Sequence, residues 1–201
     1  KRLPDVLKSI AEVDPVNCAI VLPDENLLVP VLNSIPESVS DINVTMGLPM
    51  TGSTLYSMMA DISAVQLHTL NRNGKWHFYH KQVWDLFSND LFRKAADQDT
   101  RDIVAKVKSE TKYYIPQEDL SGTLLLDTVF RPVVTDAKSN DAEQIAAFAE
   151  YQKNIITTIA PAVIDDTRLA LELEYAKEYY RCVNMLQQIG LGVQPVTYIR
   201  L

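Results

Sequence analysis

Residues 17–50, NCAIVLPDENLLVPVLNSIPESVSDINVTMGLPM, constrain this chain more than any other stretch. They read as strand, helix, strand. Cys18–Leu22 is an unbroken apolar run with β-branched Ile20 and Val21, the pattern of a strand buried on both faces. Pro23 ends it, and Asp24 is placed to cap a helix from Glu25 to Ile35, whose Leu28, Val31, Leu32 and Ile35 share one side. Pro36 stops that helix, and Ile42–Met46 supplies a second strand. Two strands joined by a helix of this length form a right-handed parallel βαβ unit. Such a unit has two raw sheet edges, so it needs more sheet, a cover or a second copy of itself.

The rest of the chain reads as mostly helical. Leu3–Val13 is a short amphipathic lead-in, and Gly47–Gly52, with two glycines and a proline, is the best boundary between domains. Thr51 or Ser53 then caps a helix running to about Asn71, with Leu55, Met58, Met59, Ile62, Val65 and Leu70 at helical spacing. Asn73-Gly74 is a strong turn signal, followed by the alternating Trp76 and Phe78. Helices are expected over 81–95 (Val83, Trp84, Phe87 and Leu91 on one side) and over 99–110. Tyr113–Pro116 is expected to be extended, and Leu124–Val134 to be a short helix or a buried strand. Asn140 and Glu143 suggest a capping box for a helix ending at Pro161. The last helix, from Asp165 to about Ile189, carries two apolar stripes. One is Leu169, Leu173, Ala176, Tyr180 and Val183; the other is Leu171, Tyr175, Tyr179, Cys182, Leu186 and Ile189. Such a helix is expected to be packed from two sides.

The phrasing CAIVLPDENLLVPVLNSIP, then INVTMGLPM and a long helix, resembles the AddB-like helicase–nucleases. These are DNA-repair proteins of the UvrD/RecB superfamily, named among the PD-(D/E)XK nuclease family proteins. The resemblance runs from Cys18 to the final helix and rests on the order of elements and the wording around Ala19–Pro49. It implies a partial RecA-like α/β unit over residues 1–50, a helical insertion domain over 51–194, and the start of a return segment over 195–201. It also implies a parent that uses ATP and Mg²⁺ in double-strand break processing, with this chain as a non-catalytic middle piece in a structural or DNA-channel role. The start at Lys1 without Met and the apolar ending Thr197–Leu201 fit an excised piece. The partners implied are the remainder of the parent chain and DNA. A stand-alone helical protein-interaction module is the rival reading, and a small independent enzyme a weaker third.

At 22.6 kDa the chain can bury roughly 70% of its unfolded surface. No apolar run reaches the ~18 residues of a membrane span, and nothing resembles a signal peptide, so a soluble cytoplasmic protein is expected. Cys18 and Cys182 are expected to be buried free thiols, and Asn43-Val44-Thr45 lies inside an expected strand, which argues against glycosylation there. A net charge of −7 opposes binding to nucleic acid by charge alone, although a modest basic patch can hide within it.

Chemistry-bearing candidates are few. No G-x-x-x-x-G-K-[ST] loop is present, and the place where the family's fourth helicase motif brings polar and basic groups to nucleotide reads Pro23-Asp24-Glu25-Asn26-Leu27-Leu28. No cofactor is therefore expected in this segment. Pro23-Asp24 followed by Glu110-Thr111-Lys112 imitates a PD…ExK nuclease signature. That chemistry needs the carboxylates and the lysine gathered on one strand around Mg²⁺, and here the two parts fall in unrelated elements. His68, His77 and His80 have no cysteine nearby to make a zinc site. No metal or catalytic residue is assigned. The one basic-aromatic cluster runs from Arg72 to Lys81, and its candidate DNA contacts are Arg72, Lys75, Trp76, Tyr79 and Lys81. The alternative is a hairpin that plugs Trp76 and Phe78 into the helical core and leaves its charges in water.

Overall fold

The computed structural model describes residues 5–6, 19–36, 42–45, 47, 49–133, 141–164 and 169–189. The chain divides into two compact units, Lys1–Pro49 and Met50–Leu201. The expected lead-in helix lies outside the described residues except at positions 5 and 6, as do Cys18, Met46, Asn140, Asp165 and the return segment 195–201.

In the first unit the parallel βαβ expectation is corrected. Residues 19–22 and 42–45 adopt no regular structure, and Ile20, Val21, Ile42 and Val44 are exposed. The Asn43-Val44-Thr45 sequon therefore lies on exposed irregular chain, not inside a strand. An apolar run becomes a strand only when another strand satisfies its N–H and C=O groups, and none among the described residues does so here. The intervening helix is also shorter than expected. Asp24 caps as anticipated, accepting from Asn26 N at 3.0 Å, but it caps a 3₁₀ turn, Glu25–Leu27. One α turn follows, α1 (Leu28–Leu32), which buries Leu28. It stops at Asn33, well before Pro36, where Ser34 Oγ donates to the Pro30 carbonyl at 2.7 Å.

The second unit holds α2 (Thr54–Leu67), β1 (Thr69–Arg72), β2 (Lys75–Tyr79), α3 (His80–Ser88) and α4 (Asp90–Ala95). After these come α5 (Gln98–Ser109), β3 (Tyr114–Pro116), α6 (Leu124–Val129), α7 (Asp141–Ile164) and α8 (Ala170–Ile189). Ser53 caps α2 by accepting from Tyr56 N at 3.0 Å. The helix buries Leu55, Met58, Met59, Ile62 and Val65, each worth about 1.5–3 kcal/mol over exposure. It ends at Leu67, earlier than the apolar spacing suggests, because Leu70 already belongs to β1. From α8, Glu172 reaches back to the start of α2, its two oxygens accepting from Thr54 N at 2.9 Å and Leu55 N at 3.0 Å. A carboxylate there meets both the orphan donors and the positive end of the helix dipole.

The sheet is antiparallel, in the order β1-β2-β3, with Arg72 opposite Lys75 and Phe78 opposite Ile115. Asn73 (φ 53°) and Gly74 (φ 80°) make the two-residue turn, both in the left-handed region that matches the twist of a hairpin. The helix expected over 81–95 is broken at Asn89. Its Oδ1 accepts from Leu91 N (2.9 Å) and Phe92 N (3.3 Å), and its Nδ2 donates to Ser57 Oγ (2.9 Å) and the Thr54 carbonyl (3.3 Å). One buried amide thus caps α4 and ties the corner to α2. A second buried amide, Gln66, donates to the Arg131 carbonyl and to Tyr151 Oη, both at 3.0 Å, and accepts from Val133 N at 3.0 Å. Tyr151 donates in turn to the Val129 carbonyl, and burial pushes its phenol above the usual range. Together they clamp the chain leaving α6 onto α2 and α7.

The helix expected to end at Pro161, α7, continues past it, to Ile164. The proline forgoes the bond to the Thr157 carbonyl and its ring crowds that oxygen, yet the helix runs on. On α8 one stripe packs, burying Ala176 and Val183. The second stripe packs only in part: Tyr175, Tyr179 and Leu186 lie partly buried against the core, while Leu171 and Cys182 are exposed, as is Met185 beside them. Cys182 is accordingly an exposed thiol, not a buried one.

Candidate nucleic-acid interface

Strand alternation decides which part of the basic-aromatic cluster faces outward. In β2, Phe78 points inward and is fully buried, paired with the equally buried Ile115 of β3. Lys75, His77 and Tyr79 therefore face outward, and the register sets Tyr114 opposite Tyr79 and Pro116 opposite His77. Trp76 alternates to the Phe78 side. It is half-buried, on the opposite side of the strand from Tyr79, and lines a groove with Lys75, Pro116, Gln117 and Glu118.

The outer face is a group of rings. Tyr79 and Tyr113 meet edge-on with centroids 5.1 Å apart and hydroxyl oxygens 3.2 Å apart. Tyr113 and Tyr114 lie at 5.4 Å, and His80 and Tyr113 at 4.8 Å. The Arg72 guanidinium sits 4.9 Å above the Tyr114 ring. Tyr113 is 62% exposed, while Tyr79, Tyr114 and His80 are half-buried. The Tyr113 carbonyl accepts from both the backbone N–H (3.2 Å) and Nδ1 (3.0 Å) of His80, which assigns the proton to Nδ1 and holds the ring against the tyrosines. The neighbouring Tyr79 hydroxyl pushes the Tyr113 phenol above its usual range and keeps it protonated.

The charges around the rings are mixed. Lys75 lies 3.5 Å from Glu118. Lys81 is exposed at the second position of α3, with no ion pair among the described residues. Lys112 is held between Asp119 (2.6 Å) and Glu110 (2.7 Å), which together lift its ammonium above the usual range, Asp119 foremost. The turn that places this triad includes Thr111 at φ 47°, an uncommon conformation for a β-branched residue.

The nuclease-like residues stand apart in role. Asp24 caps a 3₁₀ turn in the first unit, and Glu110 and Lys112 are paired with each other. The histidines are likewise occupied. Nδ1 of His68 donates to the Ala64 carbonyl at 2.8 Å, and Nδ1 of His77 to the Lys75 carbonyl at 3.1 Å. Among the described residues no group of three His, Cys, Asp or Glu side chains could hold a metal ion, and no helix is long and apolar enough to cross a membrane.

No protein-family model, no curated protein and no solved structure matches the chain. The chemistry of the outer face therefore rests on its own residues. Three tyrosines inclined at 47° to 71° to one another offer planar surfaces on which unpaired bases stack, and Arg72, Lys75 and Lys81 offer charge to phosphates. Tyr113 and Tyr114 were not part of the sequence cluster. They lie 34 and 35 positions beyond Tyr79, and only the β2–β3 register brings them in.

Proposed function

We propose that this chain is a non-catalytic element of a DNA-processing protein of the AddB-like helicase–nuclease kind, in which the outer face of the sheet meets unpaired DNA. The observation that carries the reading is the Tyr79–Tyr113–Tyr114 group with Arg72 stacked upon it. Exposed Ile20, Val21, Ile42 and Val44 in the first unit support the further idea that the remainder of a parent chain covers them. Self-association through the same residues is the alternative cover.

Anisotropy of a labelled oligothymidylate tests the first point. Binding is expected at about 10⁻⁵ M in low salt and is expected to be lost at physiological salt, as a chain of net charge −7 requires. Tyr113→Ala should weaken it about tenfold, since stacking is worth about 1–3 kcal/mol per base. The pair Lys75→Glu with Lys81→Glu should weaken it further. Binding indifferent to all three changes would reject the reading. ATP hydrolysis or DNA cleavage abolished by Asp24→Ala or Glu110→Ala would reject its non-catalytic part.

A helical protein-interaction module, the second reading, draws on α8, which turns Leu171, Cys182 and Met185 outward.

A further inference from the structure

A second cationic surface lies between α4 and α5, and no motif in the sequence marks it. It is a groove of about 600 Å³. Its rim carries Arg93 and Lys94 from α4 and Arg101 and Lys108 from α5, against a single carboxylate, Asp90. Asp90 is itself taken up by Arg93 at 3.3 Å. Asp97, beside Arg101 at the start of α5, is engaged in capping Thr100 N at 2.8 Å. The groove lining thus holds four cations to one carboxylate in a chain whose overall charge is −7, with the charged Asp97 beside Arg101.

The floor separates this surface from the sheet. Phe87 and Phe92 line it, but they are only 2% and 1% exposed, so no base can lie on their ring faces. Between Arg101 and Lys108 the α5 face is aliphatic, Val104 and Ala105. The order along α5 is thus cation, two apolar residues, cation, with the charges two helical turns and about 10 Å apart. A flexible polyanion would use the rim and waste the floor. An amphipathic segment, with an apolar stripe between acidic residues, uses both.

We infer that the α4–α5 groove docks an acidic amphipathic helix of a partner protein, its apolar stripe on Val104 and Ala105 and its carboxylates on Arg101 and Lys108. The occupant is fixed by charge and by the missing stacking surface, and it does not depend on the DNA reading of the sheet.

The test uses the full chain and a labelled helical peptide with a leucine stripe flanked by glutamates. Two comparison probes are used: an oligoglutamate without leucine, and an oligothymidylate. The amphipathic peptide is expected to bind at least tenfold tighter than oligoglutamate. Arg101→Glu with Lys108→Glu, both at exposed positions, should lower its affinity at least tenfold while leaving the helical circular dichroism unchanged. Ala105→Trp, which fills the groove without altering charge, should do the same. Equal binding of oligoglutamate would overturn the proposal, because charge alone would then account for it. Tighter binding of oligothymidylate at this groove, lost on Arg101→Glu with Lys108→Glu, would assign the surface to nucleic acid instead. Peptide affinity unmoved by both the charge reversals and Ala105→Trp would also overturn it.

Discussion

The outer face of the sheet and the α4–α5 groove are both rimmed by cations, yet they treat aromatic rings in opposite ways. On the sheet, Tyr113 stands 62% exposed beside Tyr79 and Tyr114; in the groove, Phe87 and Phe92 are sunk to 2% and 1%. The groove also has the cleaner charge. Its lining holds four cations and one carboxylate, while Lys75 and Lys112 near the sheet are paired with Glu118, Asp119 and Glu110. Positive potential brings any anion near, but what a surface holds depends on what lies between its charges. Exposed rings suit bases, and an aliphatic floor suits leucine. The two surfaces nevertheless stand on one core. Phe78, beneath the sheet, meets Phe130 at 5.2 Å; Phe130 meets Phe87 at 5.8 Å; Phe87 meets Phe92, at the groove floor, at 5.4 Å.

The largest effect should come from cutting that shared core. Phe130→Ala removes the fully buried ring in the middle of the chain of four and is expected to cost about 4 kcal/mol. Denaturant unfolding measures the loss, and oligothymidylate and peptide binding should weaken together. If one ligand kept its full affinity while the other was lost, the surfaces would not depend on this core in common.

Asn89→Ala should separate the two surfaces. It leaves the N–H groups of Leu91 and Phe92 unpaired and releases the tie to Ser57 and Thr54, at a cost of about 2 kcal/mol. α4 carries half of the groove rim and none of the sheet, so peptide affinity should fall well beyond any change in oligonucleotide affinity. An equal fall in both would mean that the corner supports the whole unit and not the groove in particular.

How far these features could be read from the sequence depends on the range of the interaction behind each. The hairpin was legible because Asn73-Gly74 supplies its own positive φ angles, and the α2 start because Ser53 finds its partner three residues away. The outer tyrosine group was half legible: Tyr79 stood in the basic cluster, but Tyr113 and Tyr114 joined it only through strand register. The break at Asn89 was hidden by an apolar spacing that continues through it, from Val83 to Leu91. The groove was hidden as well, because Arg93, Lys94, Arg101 and Lys108 look like ordinary solvated charges until two helices are set side by side. Residues 19–22 show the reverse failure. Their apolar run promised a buried strand, but no described strand pairs with it, and Val21 stands 87% exposed.

The smallest effect, and the one that sharpens the comparison most, concerns a single carboxylate. Glu118 lies 3.5 Å from Lys75, and both side chains are about two-thirds exposed (66% and 68%). Exposed pairs of this kind contribute little to stability, so Glu118→Gln should leave the unfolding midpoint nearly unchanged. It should, however, return the Lys75 charge to the outer face and remove an anion from the rim. Oligothymidylate affinity in low salt should then rise about threefold and lose more on addition of salt, since one more phosphate contact releases one more counterion. Peptide binding at the α4–α5 groove, which Glu118 does not line, should stay as it was. A rise in affinity for both ligands would show that Glu118 acts through the net charge of the whole chain, and the two cationic surfaces would then lose the independence claimed for them. No rise for either would place the bound strand away from Lys75, leaving Arg72 and Lys81 as the cations that face it.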